Sequence, residues 1–416
     1  MLLKNSSIYL VSNIAAGIIP FLIIPILTSR LTIEEYGQVG IFQVLITIFL
    51  TLTGATIIGS SERKYFDKDS DLILDRYIGV CVKISFILLC FFGLISILFK
   101  SQLIYITDLY INWILAALLS AFMLNVTQIR LGQWQVRNVA LKYGLLQVSQ
   151  VAFISFGTVF LLLILSYGPE ARVISQILVS FIFMVFSIFS LRGSNLFSLK
   201  ANQKNKLFYS ESIRFGLPLV PHAVCILILS VFDRFYISKS LGMESVGIYV
   251  LAVQVAMLVS VFFDSVNKAF VPWLFEMLSL NELPTKIRLV KFTYIWFFLI
   301  SLLIPIPFLL GPWIIEQIAT NEYSFAGEII GWICLGHLFG GMYAMVTNYI
   351  IFSKKTIYTT YIAFVIGSLN IILMVFLISI YGLIGAGYAF SISMFLRFLL
   401  TWYFSNLALP MPWRLK

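Results

Sequence analysis

The run YTTYIAFVIGSLNIILMVFLISI, residues 358–380, contains 23 consecutive residues without an Asp, Glu, Lys or Arg. As an α-helix it would be roughly 34 Å long, which is enough to cross a hydrocarbon core of about 30 Å. Lipid offers no hydrogen-bond partners to backbone amides and carbonyls, so such a run lies in a membrane as a helix. This stretch therefore predicts a membrane-spanning helix.

Similar apolar runs occupy most of the rest of the chain and are separated by short polar loops. The spans are predicted at residues 8–28, 39–60, 77–99, 112–129, 145–166, 173–191, 215–238, 247–267, 292–311, 327–352, 358–380 and 385–405. We therefore expect an all-α polytopic membrane protein with about twelve transmembrane helices.

The composition excludes a soluble domain, because 60% of the 416 residues are hydrophobic, 11% are charged and the mean hydropathy is +0.99. The net charge of +10 does not indicate a nucleic-acid partner, since the basic residues lie at helix ends instead of clustering on one solvated face. The four cysteines lie in apolar runs without paired spacing, so neither a disulfide framework nor a metal site is expected.

Basic residues divide unequally between alternate loops. One set of loops, together with both termini, carries 21 of the 28 basic residues, whereas the opposite loops hold only Arg30, Lys100, Arg172 and Lys239. The positive-inside rule then places both termini in the cytoplasm.

The second half of the chain repeats features of the first. The segment LTIEEYG at residues 31–37 matches LGMESVG at 241–247, and the pair Tyr167-Gly168 matches Tyr381-Gly382 about 210 residues later. Six spans per half is an even number, so the repeats are expected to be parallel and to enclose a central cavity. We predict an N-terminal six-helix bundle at 1–195, a cytoplasmic linker at 196–208 and a C-terminal six-helix bundle at 209–416.

Several short motifs resemble one known family. They are KNSSIYL at residues 4–10, PILTSRL at 25–31, Glu35-Tyr36-Gly37, Arg137 with Lys142-Tyr143, Asp233-Arg234, and Tyr381-Gly382 with Gly385-Ala386. Together they resemble O-antigen flippases of the Wzx type, in the polysaccharide-transport branch of the multidrug/oligosaccharidyl-lipid/polysaccharide exporter superfamily.

That resemblance implies a substrate and a location. It implies alternating access and transport of an undecaprenyl-diphosphate-linked oligosaccharide from the cytoplasmic to the periplasmic leaflet of the bacterial inner membrane. Membrane lipids surround such a protein, and a polysaccharide polymerase and chain-length proteins would be its partners. No cofactor is expected, and coupling to a proton, to sodium or to the membrane potential stays open.

Charged residues inside spans are candidates for the substrate site, because each costs at least about 2.5 kcal/mol to insert. Asp233 and Arg234 match the family dipeptide, and Arg397 lies deepest among the basic residues. In span eight, Asp264 and Lys268 share one helix face. Each of these groups could instead be a packing contact, a lipid-surface anchor or, for Asp264 with Lys268, a salt bridge at the helix end.

Two further kinds of residue complete the candidate set. Arg30 ends the first span on the side that the charge rule leaves poor in cations, where it could contact substrate or pair with Glu34 or Glu35. Gln43, Gln128 and Gln147 lie on polar stripes of three spans, which suits a hydrated cavity for sugar hydroxyls as well as ordinary interhelical hydrogen bonds.

Three functions can be compared with this pattern of charged residues. A flippase for an anionic lipid-linked sugar accounts for the basic residues within spans. A drug or cation exporter of the same fold would favour buried carboxylates, of which only Asp233 and Asp264 lie well inside spans. A membrane polysaccharide polymerase or glycosyltransferase would need a loop-borne catalytic constellation, and the loops contain no such motif. We therefore expect a transporter and not an enzyme.

Overall fold

The computed structural model describes residues 2–54, 57–67, 71–199, 205–217 and 219–413. Side chains are described in these ranges except at 2–6, 71–72, 205, 219–226 and 228–230. The described residues form helices and no strand. The helices are α1 (Leu2–Leu22), α2 (Ile24–Arg30), α3 (Ile33–Gly54), α4 (Ile57–Lys64), α5 (Asp71–Leu98), α6 (Lys100–Thr107), α7 (Ile111–Val136), α8 (Ala140–Ile164), α9 (Glu170–Gly193), α10 (Asn205–Gly216), α11 (Leu219–Leu241), α12 (Met243–Ser279), α13 (Leu283–Leu303), α14 (Pro305–Ile318), α15 (Phe325–Phe352), α16 (Ile357–Tyr381) and α17 (Ile384–Ala408).

The chain divides into two compact units. The first unit runs to Val231 and also includes Gly242–Gly247, and the second unit comprises Phe232–Leu241 and the chain from Ile248 onward. The boundaries predicted from the sequence, at 195 and 209, stay predictions. Residues 200–204 of the predicted linker lie outside the described residues.

The helices match the predicted spans. Ten of the described helices, counting α1 with α2 as one, are long and apolar enough to cross a membrane, and α13 with α14 makes an eleventh if that pair is one bent span. Helix α11 coincides with the seventh predicted span. Every predicted span thus corresponds to a helix or to two consecutive helices, which confirms the all-helical class with about twelve spans. We call the helix ends beside the basic loops the inner ends and the opposite ends the outer ends.

Two spans that the sequence predicts as continuous are broken at prolines. The first span is interrupted at Ile23. Helix α1 ends at Leu22, and α2 starts at Ile24 with Pro25 as its second residue. Helices α13 and α14 meet at Pro305 with an angle of 41° between them. A proline has no N–H to donate and its ring displaces the carbonyl four residues earlier, which is the usual cause of a sharp kink such as the one at Pro305.

A capping box starts α3 at the outer end of the first unit. Thr32 N donates to Glu35 Oε2 at 2.9 Å, and Glu35 N donates to Thr32 Oγ1 at 3.2 Å. These two bonds satisfy amides that the first turn of a helix leaves without partners. The cap fixes where α3 begins, directly after the short α2.

The chain that leaves α9 returns along α5. Ser198 N donates to the Asp75 carbonyl at 3.1 Å, and Lys83 Nζ donates to the Leu199 carbonyl at 3.0 Å. Gly79 allows this approach, since a Cβ at that position would lie 2.0 Å from the Ser198 oxygen. The first residues of the predicted linker are therefore attached to α5.

The two matching segments of the internal repeat contact each other within the first unit. A Cβ on Gly37 would lie 2.4 Å from the Met243 oxygen, and a Cβ on Gly247 would lie 2.2 Å from the Ile33 oxygen. Met243 and Gly247 stand 210 residues after Ile33 and Gly37, so the two contacts are equivalent under that offset. Each of the two matching segments therefore places a glycine against a backbone oxygen of the other.

Candidate functional site

The Asp233 carboxylate forms the centre of a polar cluster in the second unit. Arg234 Nη1 donates to both Asp233 oxygens at 2.8 Å, and Tyr249 Oη donates to Oδ2 at 2.8 Å. The Arg234 guanidinium also lies 5.7 Å from the centroid of the Tyr249 ring. Side chains of adjacent helical residues do not ordinarily face each other. Here the Asp233 and Arg234 side chains both turn toward Tyr249, where they pair. The structure therefore joins the predicted Asp233 and Arg234 in one neutral group.

Arg397 lies half-buried on α17 and is held by an aromatic partner. Its guanidinium carbon is 4.1 Å from the centroid of the Tyr343 ring on α15, and its Nη2 donates to the Tyr343 hydroxyl at 3.0 Å. No ion pair involves Arg397 in the described part of the chain. This arginine keeps its positive charge inside the second unit without a carboxylate.

The remaining charged candidates are exposed. Asp264 and Lys268 are both exposed on α12, and the described contacts include no ion pair between them. Between them in sequence, Asn267 accepts a hydrogen bond from Asn348 Nδ2 at 2.7 Å. Arg30 is exposed at the end of α2 and forms no ion pair in the described residues. Among the described residues, no salt bridge joins Asp264 to Lys268 or Arg30 to Glu34 or Glu35.

Gln43 on α3 contacts Arg172, which is not among the site residues predicted from the sequence. With the Gln43 amide oriented so that its oxygen faces the guanidinium, Arg172 Nε and Nη2 both donate to that oxygen at 2.7 Å. Arg172 Nη1 approaches Thr158 Oγ1 on α8 at 3.5 Å. Arg172, in the first turn of α9, is thus a half-buried cation at the outer end of the first unit. Its hydrogen-bond partner there is the neutral Gln43 amide.

A signal for Arg172 was present in the charge pattern. Arg172 is one of the four basic residues in the loops that the positive-inside rule leaves poor in cations, as Arg30 is. Its partners lie 129 residues earlier and 14 residues earlier in the chain. Spacing along the sequence could not reveal the first of these contacts.

The other predicted glutamines have different surroundings. Gln147 Nε2 on α8 donates to Asn13 Oδ1 on α1 at 3.0 Å, whereas Gln128 is half-buried on α7. The stripe that begins with Gln43 continues through Thr47 and Thr51, and the three side chains are exposed or half-buried. Of the nine predicted site residues, the structure brings only Asp233 and Arg234 into contact with each other.

No group of three or more His, Cys, Asp or Glu side chains able to hold a metal ion occurs among the described residues. The polar groups that the structure assembles are guanidinium groups, amides, hydroxyls and the Asp233 carboxylate, which Arg234 neutralises. Such groups bind anions and sugar hydroxyls through hydrogen bonds.

The sequence matches a family model and two proteins of Haemophilus influenzae. Residues 2–278 match the family described as "Polysaccharide biosynthesis protein". The chain is 27% identical over 350 residues to "Lsg locus putative protein 1", covering 81% of this chain and 78% of that protein. It is also 27% identical over 319 residues to an "Uncharacterized membrane protein", covering 76% of this chain and 74% of that one.

Solved structures share the fold. The "Lipid II flippase MurJ, inward closed conformation" superposes with a TM-score of 0.76 at 17% identity, covering 96% of this chain and 87% of that one. An inward-facing multidrug resistance MATE family transporter of the MOP superfamily superposes with a TM-score of 0.66 at 16% identity, covering 96% and 94%. The family match spans well over half of the chain, and the resemblance seen in the motifs is confirmed. The chain belongs to the polysaccharide biosynthesis protein family and shares the fold of these two transporters.

Proposed function

We propose that this chain moves a polyprenyl-diphosphate-linked repeat unit of O-antigen, or of a related polysaccharide, from the cytoplasmic to the periplasmic leaflet of a bacterial inner membrane. Movement occurs by alternating access, with both termini in the cytoplasm. The protein contributes binding and a polar route for the head group, while the polyprenyl tail stays in lipid.

The observation that carries this proposal is that two half-buried arginines, one at the outer end of α9 and one within α17, have neutral partners. Arg172 is bonded to the Gln43 amide, and Arg397 to Tyr343. An ionised group at the centre of a membrane span costs about 2.5 to 3.5 kcal/mol or more, and neither the Tyr343 phenol at Arg397 nor the Gln43 amide at Arg172 neutralises the guanidinium. A diphosphate head group supplies the missing negative charge, and guanidinium groups bind phosphate oxygens in a bidentate way.

Neighbouring side chains suit the rest of such a substrate. Thr47 and Thr51 extend the exposed polar face below Gln43, and such hydroxyls exchange hydrogen bonds with sugars as readily as with water. Arg234 has a different role from Arg397, because Asp233 neutralises it. We assign Asp233 and Arg234 to holding α11 against Tyr249 and to a polar contact with the substrate.

The test is transport in cells that lack related flippases. Deletion of this gene should make lipid-linked oligosaccharide accumulate in the cytoplasmic leaflet, and the intact chain should restore its appearance on the periplasmic side. Arg172→Ala and Arg397→Ala should each lower the transport rate at least about 10-fold, the effect of losing one charge-assisted bond of about 1.5 kcal/mol. Lys100→Ala is the matched control, because Lys100 is a basic residue of the same outer loops and is exposed.

Two outcomes would overturn the proposal. One is a deletion strain in which lipid-linked oligosaccharide reaches the periplasmic leaflet at the normal rate. The other is full transport by the double variant Arg172→Ala/Arg397→Ala at normal expression. Arg172→Lys keeps the positive charge and should transport faster than Arg172→Ala but more slowly than the intact chain. This comparison separates a need for positive charge from a need for the bidentate geometry.

The shared fold with a multidrug transporter favours one alternative, export of organic cations. Such a function would need carboxylates open to a cation. Asp233 is bonded to Arg234 and Tyr249, so this alternative rests on Asp264, which is exposed on α12. Purified protein that binds organic cations more tightly than anionic polyprenyl diphosphates would favour the exporter.

A further inference from the structure

A groove of about 510 Å³ lies on the first unit between the inner parts of α8 and α9. Lys142, the third residue of α8, lines its inner mouth, and Ser149 lies seven residues farther along the same helix. On α9 the groove extends from Ser190 back to Ile182. Those separations correspond to about 10 to 12 Å along the helices. The groove thus begins near the inner ends of these spans and reaches most of the way through one leaflet of about 15 Å.

The floor and walls of the groove are apolar. Trp134 and Leu146 form a buried floor, each 6% exposed. Leu145, Ile182 and Phe186 form the rims and are more than half exposed, so the groove opens on the outer surface of the unit. The Arg130 guanidinium lies 4.3 Å from the Trp134 ring centroid, and its Nη2 donates to Ser194 Oγ at 3.1 Å, which fixes the floor from behind. A long hydrocarbon chain fits such a slot.

The mouth of the groove is positively charged. Lys142 is exposed and forms no ion pair among the described residues. Its ammonium stands at the end of an apolar slot, which is where the phosphate of a lipid lies when its acyl chain enters the slot. One ammonium matches one phosphodiester charge, and the slot is the length of an acyl chain within a single leaflet and not of a polyprenyl chain.

We propose that this groove binds an anionic phospholipid, with one acyl chain between α8 and α9 and the phosphate at Lys142. The site is separate from the polar groups assigned to the transported substrate and does not depend on that assignment. A bound phospholipid there fills the space between the inner ends of two spans and stabilises their packing.

Native mass spectrometry of the full chain in detergent, with added phosphatidylglycerol or phosphatidylcholine, tests this site. We expect the intact protein to retain phosphatidylglycerol preferentially. Lys142→Ala should weaken phosphatidylglycerol binding about 5-fold, the effect of about 1 kcal/mol per basic residue at an anionic lipid surface. Lys142→Arg should preserve binding, and Lys291→Ala, at an exposed lysine of α13 that does not line the groove, should leave it unchanged.

A second variant tests the slot itself. Ser149→Phe places a ring in the groove and should reduce retention of both phospholipids, while Ser279→Phe, at an exposed serine near the end of α12, should not. Thermal unfolding of each variant in lipid-free detergent shows whether it is folded. Equal retention of the two phospholipids by the intact protein, or unchanged retention by a folded Ser149→Phe variant, would overturn the proposal. Preferential retention of polyprenyl phosphate would also overturn it, by assigning the groove to the carrier lipid.

Discussion

The Asp233 carboxylate accepts hydrogen bonds from the side chains of Arg234 and Tyr249, so its removal changes two neighbours at once. Asp233 and Arg234 are only 14% and 18% exposed, and a guanidinium left there without its carboxylate is costly. Loss of one partner of a buried pair typically destabilises a protein by about 3 to 5 kcal/mol, whereas replacing both partners is often nearly neutral.

We therefore expect Asp233→Asn to lower the free energy of unfolding by about 3 kcal/mol, and the double variant Asp233→Asn/Arg234→Gln to recover most of it. Tyr249→Phe should lose about 1 kcal/mol, since the ion pair stays intact. Denaturant unfolding in detergent measures all three. A double variant as unstable as Asp233→Asn would show that the pair contributes more than charge compensation.

Glu62 is the acidic residue whose titration should affect stability. It lies half-buried at the inner end of α4, with its carboxylate so close to α7 that a Cβ on Gly132 would be 2.4 Å from Oε1. Burial raises the pKa of Glu62 above its ordinary value. A raised pKa in the folded state means that folding favours the neutral acid. The resulting stabilisation is complete below the unfolded pKa of about 4.3 and is lost as the pH rises through the folded pKa.

The thermal midpoint of the intact chain should therefore fall relative to that of Glu62→Gln as the pH rises from about 4.5 to 8, because glutamine keeps the shape and cannot ionise. Glu276→Gln, at an exposed glutamate of α12, serves as the matched control and should follow the intact chain at every pH. A difference between Glu62→Gln and the intact chain that does not change with pH would contradict this account.

Individual site residues could be predicted only in part. Asp233 and Arg234 were recognisable because both charges stand side by side in one span, and the structure pairs them. The contact of Arg172 with Gln43 joins the start of α9 to the middle of α3, and neither residue carries a local signal for the other. Tyr249 and Tyr343 were missed for a related reason, since tyrosines are frequent in this chain and their roles depend on which helix packs opposite.

At the level of helices, length and hydropathy were sufficient to place the spans, because an apolar run of about 20 residues has few alternatives in a membrane. The breaks at Ile23 and at Pro305 were not predicted. Proline is tolerated in membrane helices when neighbouring groups satisfy the freed carbonyls, so its presence alone does not show whether a span kinks. The 41° bend between α13 and α14 depends on packing that the local sequence does not specify.

The attachment of the chain after α9 to α5 gives a test at this scale. Gly79→Ala would place a methyl group against the backbone oxygen of Ser198, and a backbone atom cannot move aside as a side chain can. We expect a loss of about 1 to 3 kcal/mol in unfolding free energy, as for overpacked sites, and greater proteolysis near residue 199.

Gly93→Ala is the matched control for that test. It lies on the same helix, and the nearest atom to its added methyl group is Leu118 Cδ2 at an ordinary 3.7 Å. Alanine there should be neutral or slightly stabilising, because it lowers the backbone freedom of the unfolded chain. Equal effects of the two substitutions would show that the loop does not depend on close contact at Gly79.

Across the whole molecule, the faint internal repeat of the sequence has one counterpart in the structure. The echo of 31–37 in 241–247 reappears as two equivalent backbone contacts, Gly37 with Met243 and Gly247 with Ile33. The second repeated motif, Tyr167-Gly168 and Tyr381-Gly382, is less regular, because Gly382 has a φ of +61° whereas Gly168 does not have a positive φ. The glycines of the first motif thus have the same role in both copies, a close approach of two backbones. The glycines of the second motif, which follow a helix, differ in backbone conformation.

The charge pattern also gives a prediction for the whole chain, that both termini lie in the cytoplasm. A fluorescent protein fused to either end should fold and fluoresce in cells, and alkaline phosphatase inserted after Gly168, between α8 and α9, should be active only on the opposite side of the membrane. The insertion between α7 and α8, after Asn138, is the control and should be inactive as phosphatase. Active phosphatase at residue 138 would invert the orientation.

The two hydrogen bonds from Arg172 to the Gln43 oxygen have a consequence for substrate selectivity. The amide oxygen orients the guanidinium and leaves its charge intact, whereas a glutamate of the same length would orient it and cancel the charge. Replacing the amide nitrogen of residue 43 by oxygen would thus convert a cationic group into an electroneutral pair. Among relatives, the residue at this position is expected to vary with whether the cargo is acidic or uncharged.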